Sequence, residues 1–594
     1  MKPSYLPAAI MILAAGSATA SVTPYQLKAA IAIQSVTLNG KCPRYDVEEM
    51  RVGLTATYDN PFDPDDVALD AMVTTPSGQT IDIPGFLYQD FTRSLSGDQE
   101  AMTPAGAPEW RVRYAPSETG RYRVTLQLRD RTGTATSKTY TFQSTKSSLR
   151  GFIRISKDDP HYFAYDGGGT YFPVGANICW AGSRGTFDYD DWIPEFGKQG
   201  CNYTRLWLAP TRFTLSTFSA GKPEDGKGYQ CVDLEHAWKL DYVLGLARQN
   251  GMSAMLCLEN AGKTSAYHVN SGGIVSSFSD FWANQDVDKW YRAKMRYLVA
   301  RYGAYTNVFA WELWNEVDLV DKDPADADAV RDWHVRTARE LRSMDPYAHL
   351  ITTSFSGWDG VPAIDSLPEM DYVQTHLYHL GDLASDIVGR MQTKAKFDKP
   401  EYTGETGADW RGPSQDDPRG EQIHQSLWAS TVAGGSGAAA MWWWDNYIAP
   451  NKLWPVYKPL TSFVADVDFA REHMKSTTIS FLDSPIIGGR GADAAGGSDL
   501  VGWSTAGHHV VLAWVRLSSA SWIAVCQQHV TLPPVSSASA VIDGVEPGDW
   551  TADIWDTWTG KVIESEKVEV GSDEQASVPL PVVDEDVAIK MHRR

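Results

Sequence analysis

Two glutamates, Glu316 and Glu405, are the side chains of this sequence best suited to proton transfer and nucleophilic attack. Glu316 closes the run Trp311–Glu316, and Glu405 lies within Tyr402–Gly407, so both follow strand-like apolar residues. The aromatic neighbours of Glu316 indicate a deep site, where burial keeps a carboxyl group protonated near neutral pH. Two such carboxyl groups about 5 Å apart are the arrangement that cleavage of a glycosidic bond by double displacement requires.

The region from residue 149 to 478 alternates strand-like and helical patterns, and it would position these two carboxyl groups. Eight strand-like runs occur in it: 171–178, 201–208, 252–258, 308–314, 349–354, 372–375, 401–404 and 438–443. Eight strands separated by helical patterns predict a (β/α)8 TIM barrel, in which functional groups lie at the carboxyl ends of the strands. A doubly wound open sheet is the alternative, but no glycine-rich phosphate loop follows the first run.

The flanking segments read as β-structure with frequent turns. Runs such as Arg51–Tyr58, Arg121–Leu128 and Trp550–Asp556 alternate or are rich in residues that favour strands. We therefore expect an N-terminal β-sandwich over 21–148, the catalytic barrel over 149–478 and a C-terminal β-sandwich over 479–594.

The first 20 residues have the pattern of a secretory signal peptide. Lys2 gives the positive start, Ala8–Ala15 the apolar stretch, and Ala18–Ala20 a small-residue cleavage site. No later segment has 18 uninterrupted apolar residues, so no membrane-spanning helix is expected. These features predict a protein that is secreted or periplasmic.

Composition narrows the class of partner. The formal net charge of -21 argues against nucleic acid or anionic lipid, which the protein would repel over most of its surface. The 23 tryptophans and 26 tyrosines suit a carbohydrate partner, although many must lie in the core. The six cysteines include no C-x-x-C pair, which argues against zinc or redox chemistry. Catalysis by two carboxyl groups needs no cofactor, so we expect neither a metal nor a cofactor.

An ordered set of motifs resembles a known family. Asn315-Glu316 ends the fourth predicted strand, and Glu405 ends the seventh. Further elements in the same order are Arg205 in the second strand, His376-x-Tyr378 after the sixth, and the run Met441–Asp445 at the eighth. The set resembles the retaining glycoside hydrolases with a (β/α)8 barrel, and most of all the cellulase/mannanase family. Val317 stands where that family often has proline, and Leu258–Asn260 where it often has histidine, which bears on the subfamily and the substrate.

The resemblance implies a role for each matched residue. Glu316 would be the general acid/base and Glu405 the nucleophile, kept ionised by Arg205 and Tyr378. Asn315 would bond the sugar 2-hydroxyl, and a tryptophan would form the floor under that sugar. Alternation does not decide between Trp443 and Trp444. The remaining predicted substrate-binding residues are His376, Asn177, Trp180 and Trp207.

These residues predict a secreted retaining β-glycosidase, with an endo-β-glucanase or mannanase as the first expectation. An exo-acting β-glycosidase is an alternative, because the loops that would close one end of a cleft are not visible in a sequence. A carbohydrate-binding protein without catalysis, built on the same scaffold, is another. A third is an adhesion or scaffold protein whose β-sandwiches do the work.

Overall fold

A computed structural model gives the fold, and it describes residues 27–209, 213, 228–260, 267–269, 273–320, 324–378, 381–414, 416–482 and 499–594. The predicted signal peptide, residues 1–20, lies outside the described residues, so export stays a prediction. No helix in the described part of the chain is long and apolar enough to cross a membrane.

The N-terminal region consists mostly of strands in two sheets. The sheet orders are β1-β3-β7-β6 and β2-β10-β8-β4-β5, and β9 pairs with β8. All pairs are antiparallel except β2 with β10. Buried positions alternate along β8, as expected for a strand with one face against a core. The strands are β1 (Leu27–Thr37), β2 (Lys41–Pro43), β3 (Glu48–Tyr58), β4 (Val67–Thr74), β5 (Thr80–Pro84), β6 (Phe86–Ser96), β7 (Gln99–Tyr114), β8 (Gly120–Asp130), β9 (Gly133–Thr136) and β10 (Tyr140–Thr145).

The central region begins with a small antiparallel sheet and continues with parallel strands. The small sheet contains β11 (Ile153–Ile155), β12 (Phe163–Tyr165) and β13 (Thr170–Tyr171). Five parallel strands follow in sequential order, and two further parallel strands form a pair. They are β14 (Gly175–Asn177), β15 (Tyr203–Trp207), β16 (Ser253–Cys257), β17 (Val308–Glu312), β18 (Leu350–Thr352), β19 (Val373–Leu377) and β20 (Glu401–Thr406). Their residues are buried throughout, which is typical of parallel strands covered on both faces.

The first and eighth predicted strands differ from expectation. The run 171–178 is split, because Tyr171 pairs within the small sheet and only Gly175–Asn177 joins the parallel strands. The run 438–443 forms no extended strand. It is reduced to parallel bridges from Met441 to Ala176 and to Thr406, and these connect β20 with β14.

Helices separate most of the parallel strands. Several begin at a residue whose side chain accepts a hydrogen bond from the first turn, as Asp233 does from the His236 N–H at 3.0 Å. The helices are α1 (Thr186–Lys198), α2 (Leu234–Gln249), α3 (Phe278–Ala283), α4 (Gln285–Tyr302), α5 (Val317–Val320), α6 (Ala327–Met344), α7 (Pro362–Asp365), α8 (Leu383–Lys394), α9 (Glu421–Val432), α10 (Ala449–Asn451), α11 (Tyr457–Phe463) and α12 (Phe469–Glu472).

The C-terminal region is again rich in sheet. The two sheets have the orders β21-β23-β24-β29-β26-β27 and β22-β25-β28. β21 pairs with β23, so this sheet starts at Lys475, slightly before the boundary expected at 479. The strands are β21 (Lys475–Thr477), β22 (Ile479–Leu482), β23 (Leu500–Ala506), β24 (Val510–Leu517), β25 (Ser539–Asp543), β26 (Gly548–Asp556), β27 (Lys561–Val570), β28 (Gln575–Pro579) and β29 (Asp586–Arg593).

The β6–β7 hairpin of the N-terminal region is anchored to the loop after β14. The Glu100 side chain is fully buried and lies 3.2 Å from the Lys239 ammonium. Its carboxylate accepts hydrogen bonds from the Thr186 N–H at 2.9 Å and from the Thr186 hydroxyl. The Glu100 N–H also donates to the Ser183 carbonyl at 3.0 Å. Because this loop starts at Ile178 and contains Trp180, the hairpin fixes a segment that leads out of the carboxyl end of β14.

Replacing Glu100 by alanine should destabilise the protein by about 1–3 kcal/mol, because the Lys239 ammonium and the Thr186 donors lose a buried acceptor. Chemical denaturation would measure the change. Glu566→Ala, at an exposed position of β27, is the matched control and should leave the unfolding midpoint where it is. Equal midpoints for the two variants would contradict the anchoring role of Glu100.

Candidate active site

Glu316 lies just beyond the carboxyl end of β17, in an unusual backbone conformation. Its φ is 48°, in the left-handed region that non-glycine residues seldom adopt. The Glu316 N–H donates to the Ser354 hydroxyl at 3.1 Å, which holds this conformation. Its side chain keeps 16% exposure, so the carboxyl group is largely buried but open to solvent at one side. Backbone strain of this kind is enriched at functional sites.

Glu405 lies in β20 and is buried more deeply, beside two donors and a histidine. The Tyr378 hydroxyl donates to Glu405 Oε2 at 2.5 Å, and the Arg205 guanidinium donates to Oε1. The His376 Nδ1 atom lies 3.5 Å from the same Oε1. Hydrogen bonds to the charged form favour ionisation of a carboxyl group.

Arg205, in β15, connects the groups of the site. Its side chain has no exposed surface. Nε and Nη2 donate to the two oxygens of Glu312 at 2.7 and 2.8 Å, Nη2 also donates to Asn315 Oδ1 at 2.7 Å, and Nη1 reaches Glu405. A guanidinium suits this task because its donors lie in a fixed plane. Arg205 therefore sets the relative positions of β17, the Asn315-Glu316 turn and β20.

Glu312 is the important residue that reasoning from the sequence missed. It is fully buried at the end of β17 and forms the bidentate pair with Arg205. The prediction considered carboxyl groups that follow strands, whereas Glu312 lies inside one. A carboxylate within a run of buried apolar residues was the available signal, because such a group requires a buried cationic partner.

His376 lies between the two carboxyl groups. Its Nδ1 atom is 3.0 Å from Glu316 Oε1 and 3.5 Å from Glu405 Oε1. One ligand atom from each of Glu316, His376 and Glu405 lies within 4.8 Å of the others. The carboxyl groups are thus close enough to act on opposite sides of a single bond. Three such atoms could also hold a metal ion, but Glu405 is already bonded to Tyr378 and Arg205.

The titration of the two carboxyl groups differs. Burial, reinforced by the negative charge of Asp318, raises the pKa of Glu316 to about 7. Burial also raises the pKa of Glu405, but His376 and Arg205 oppose that rise. Burial lowers the pKa of His376. The site therefore contains a carboxyl group that holds a proton near neutral pH, beside one that is surrounded by donors.

Trp443, rather than Trp444, lies beside Gly407, two residues after Glu405. Trp443 is half-buried, and its Nε1 donates to the Asp409 carbonyl at 3.1 Å. A Cβ atom on Gly407 would come within 3.0 Å of Trp443 Nε1 and 3.4 Å of the Tyr378 ring, so the two rings flank this glycine. Trp444 is buried at the start of a π-helical turn, and its Nε1 donates to the Trp180 carbonyl at 3.2 Å.

The other predicted substrate-binding residues are placed unevenly. Asn177 is fully buried, and its Nδ2 donates to the main-chain carbonyls of Gly404 and Met441 at 3.0 and 3.2 Å. This side chain therefore joins β14 to β20 and to the Met441 segment, a correction to the expectation that it faces a ligand. Trp180 and Trp207 lie 5.3 Å apart, within a cluster of rings that also contains Trp442 and Trp444. Only Trp180 of this cluster is partly exposed.

Asn315 is held from two sides. Its Oδ1 accepts from Arg205, and its Nδ2 donates to Asn260 Oδ1 at 3.0 Å. The Asn315 N–H donates to the Glu259 carbonyl at 2.9 Å, and the Glu259 carboxylate is paired with Lys294 at 2.6 Å. The segment after β16 thus supports Asn315, which fixes its amide next to Glu316.

Comparison with known proteins agrees with this geometry. Residues 167–420 match the family model described as Cellulase (glycosyl hydrolase family 5). Residues 41–129 match a model described as a domain of unknown function, DUF5060. The resemblance inferred from the sequence is confirmed: the central region is similar to the O-glycoside hydrolases of the cellulase/mannanase type. A domain of this family implies a TIM barrel.

Individual relatives are distant. The chain is 25% identical over 263 residues to mannan endo-1,4-beta-mannosidase F of Aspergillus fumigatus, covering 40% of this chain and 58% of that protein. It is 28% identical over 209 residues to mannan endo-1,4-beta-mannosidase A of Emericella nidulans, covering 33% and 52%. The chain thus spans little more than half the length of these relatives.

Similarity to a solved structure extends beyond residues 167–420. A crystal structure of a Bacteroides vulgatus protein is similar over 94% of this chain and 100% of its own, with a TM-score of 0.61 and 16% identity. At that identity the similarity concerns the fold alone. It includes the strand-rich regions on both sides of the central one.

Replacing Arg205 by lysine should destabilise the protein by about 1–3 kcal/mol, because an ammonium has three donors on one nitrogen and cannot replace four hydrogen bonds made from three separate nitrogens. Thermal unfolding would measure the loss. Arg331→Lys, on the solvent-facing side of α6, is the matched control. If Arg205→Lys unfolds at the same temperature as this control, the four-way role of the guanidinium is wrong.

Proposed function

We propose that the protein is a retaining β-glycosidase that works by double displacement, with Glu316 as the general acid/base and Glu405 as the nucleophile. The observation that carries the proposal is the pair of carboxyl groups whose ligand atoms lie within 4.8 Å of each other in contrasting surroundings. A short separation suits direct attack on the sugar, whereas inverting enzymes leave room between the carboxyl groups for a water molecule.

In the first step, a Glu405 oxygen attacks the anomeric carbon while Glu316 gives its proton to the leaving oxygen. The C–O bond to the leaving group breaks, and an ester between the sugar and Glu405 forms. Arg205 and Tyr378 donate to the carboxylate before attack and position it against the sugar. The pKa of about 7 for Glu316 supplies a proton donor near neutral pH.

In the second step, Glu316 is a carboxylate and takes a proton from water. The resulting oxygen nucleophile attacks the anomeric carbon, the ester bond breaks, and Glu405 leaves as a carboxylate. Two displacements at the same carbon retain its configuration. Asn315, fixed by Arg205 and Asn260, is suited to bond the 2-hydroxyl of the reacting sugar, and Trp443 to lie under its ring.

The architecture that we propose is a closed (β/α)8 barrel between two β-sandwiches. The bridges of Met441 to β14 and β20 support closure, and a hydrogen bond of 2.8 Å from the Asp371 N–H to the Ile351 carbonyl joins the segment before β19 to β18. In this architecture the N-terminal β-sandwich spans 21–148, the barrel starts at 149, and the C-terminal β-sandwich starts at 475.

The substrate class that we propose is a β-1,4-linked mannan. The support is the similarity to two mannan endo-1,4-beta-mannosidases, at 25% and 28% identity. β-Glucans are the nearest alternative, since the family model carries the description Cellulase.

Hydrolysis of a panel of aryl β-glycosides and β-linked polysaccharides tests the function. Wild-type protein should cleave β-mannosides, and Glu405→Gln should lose at least about a thousandfold in kcat/KM because the nucleophile is gone. Glu316→Ala with added azide should give the β-glycosyl azide, since azide needs no general base and attacks the anomeric carbon in place of water in the second step.

The panel also decides among the alternatives. Cleavage of β-glucosides in place of β-mannosides would change the proposed substrate class from mannans to glucans. Tight binding of the polysaccharide without cleavage of any panel member would favour a carbohydrate-binding protein. Equal activity of wild type and Glu405→Gln would remove Glu405 as the nucleophile.

The value of kcat/KM should fall above about pH 7, where Glu316 loses the proton that the first step needs. It should also fall toward acid pH, where Glu405 gains a proton. Asp318→Asn removes a negative charge that raises the pKa of Glu316, so the alkaline limb should move to lower pH. Asp328→Asn, at an exposed position of α6, is the control. An alkaline limb that stays in place in Asp318→Asn would contradict this assignment.

A further inference from the structure

Two tryptophans differ from all other aromatic residues of the described chain. Trp358 is 47% exposed and Trp410 is 61% exposed, and they are the only exposed large aromatic side chains in the part that the structure describes. Both lie on loops that follow parallel strands, Trp358 after β18 and Trp410 after β20. These loops leave the same end of the strands as Glu316 and Glu405. An exposed tryptophan buries much apolar surface when a ligand covers it.

Trp410 lies on the side of the nucleophile. Its neighbour Asp409 accepts the hydrogen bond from Trp443 Nε1 at 3.1 Å, so the loop is attached to the proposed floor of the reacting sugar. The Arg411 guanidinium bonds the Asp409 carboxylate, and the Ala408 N–H donates to Gln422 Oε1 at 3.0 Å. Trp410 is therefore held on a fixed loop that continues outward from Trp443.

Trp358 lies on the side of the acid/base. Asp318, two residues after Glu316, accepts from the Ser356 N–H and the Gly357 N–H, both at 2.9 Å. The guanidinium of the buried Arg390 lies 5.3 Å from the centre of the Trp358 ring and donates to the Gly357 carbonyl. The ring thus has support on one side and exposed surface for a ligand on the other.

We infer that Trp410 and Trp358 are two outer sugar platforms, so that the enzyme cleaves within a chain. The inference rests on the proposed function and deepens it, because it chooses endo over exo action. The acid/base touches the oxygen of the leaving group, so Trp358, tied to the Glu316 segment, stacks on a sugar of the leaving portion. The tryptophan attached to the floor of the reacting sugar, Trp410, stacks on a sugar further along the portion that stays on the nucleophile.

Three probes separate the two platforms. An aryl β-mannoside reaches neither, an aryl β-mannotrioside reaches only Trp410, and mannohexaose reaches both. Trp410→Ala should lower the ratio of kcat/KM for the trioside to that for the mannoside by about tenfold. Trp358→Ala should lower the ratio for mannohexaose to the trioside by about tenfold, with the trioside-to-mannoside ratio as in wild type. The phenylalanine variants should recover most of each loss.

Controls distinguish a failure of the platform inference from a failure of the proposed glycosidase function. Leu95→Ala removes an exposed apolar side chain of the N-terminal hairpin and should give wild-type ratios. Ratios that stay at wild-type values in both alanine variants would overturn the platforms while leaving the glycosidase intact. Losses that are equal for all three probes would also overturn them, because the tryptophans would then support the fold. If wild-type protein cleaves neither these probes nor the matching cello-oligosaccharides, the proposed function itself is wrong.

Discussion

The site depends on a single buried guanidinium. Arg205 has no exposed surface, and removing a cation from water costs several kcal/mol unless its partners compensate. Compensation comes from Glu312 on both oxygens, from Asn315 and from Glu405. These partners come from β17, from the turn after it and from β20. The need of the buried Arg205 guanidinium for these partners therefore fixes the relative positions of groups that are far apart in sequence.

This constraint explains why the two carboxyl groups behave differently. Glu405 has Arg205 and Tyr378 as donors and lies deep in the site, whereas Glu316 lies on a strained turn with partial exposure. Burial and Asp318 keep Glu316 protonated to about pH 7, and no comparable set of donors opposes them. Environment alone thus separates the proposed acid from the proposed nucleophile. His376 lies within reach of both carboxyl groups, and burial lowers its pKa.

The sequence allowed part of this to be predicted, for physical reasons. Glu316, Glu405 and Tyr378 follow strand-like runs and Arg205 lies within one, in a fixed order, and a parallel sheet brings the carboxyl ends of its strands together. Glu312 was not predicted as a site residue because it lies inside a strand, and its pairing with Arg205 is visible only in three dimensions.

Other features could not be predicted from the sequence for related reasons. The choice between Trp443 and Trp444 could not be made by alternation, because the eighth run shrinks to a bridge at Met441 and a π-helical turn follows. The anchoring of the β14 loop by Glu100 depends on a contact between two regions of the fold, and sequence patterns do not report such contacts. Asn177 was expected to face a ligand, but strand-end position alone does not tell which side of a strand a residue takes.

The most direct test of the account is to trap the covalent intermediate. The protein would be incubated with an activated 2-deoxy-2-fluoro-β-mannoside, and with the glucoside in parallel, then digested and analysed by mass spectrometry. The account predicts one fluorosugar per protein, attached to the peptide that carries Glu405, with none on Glu405→Gln. A label on another carboxylate, or turnover of aryl glycosides with inversion at the anomeric carbon, would contradict it.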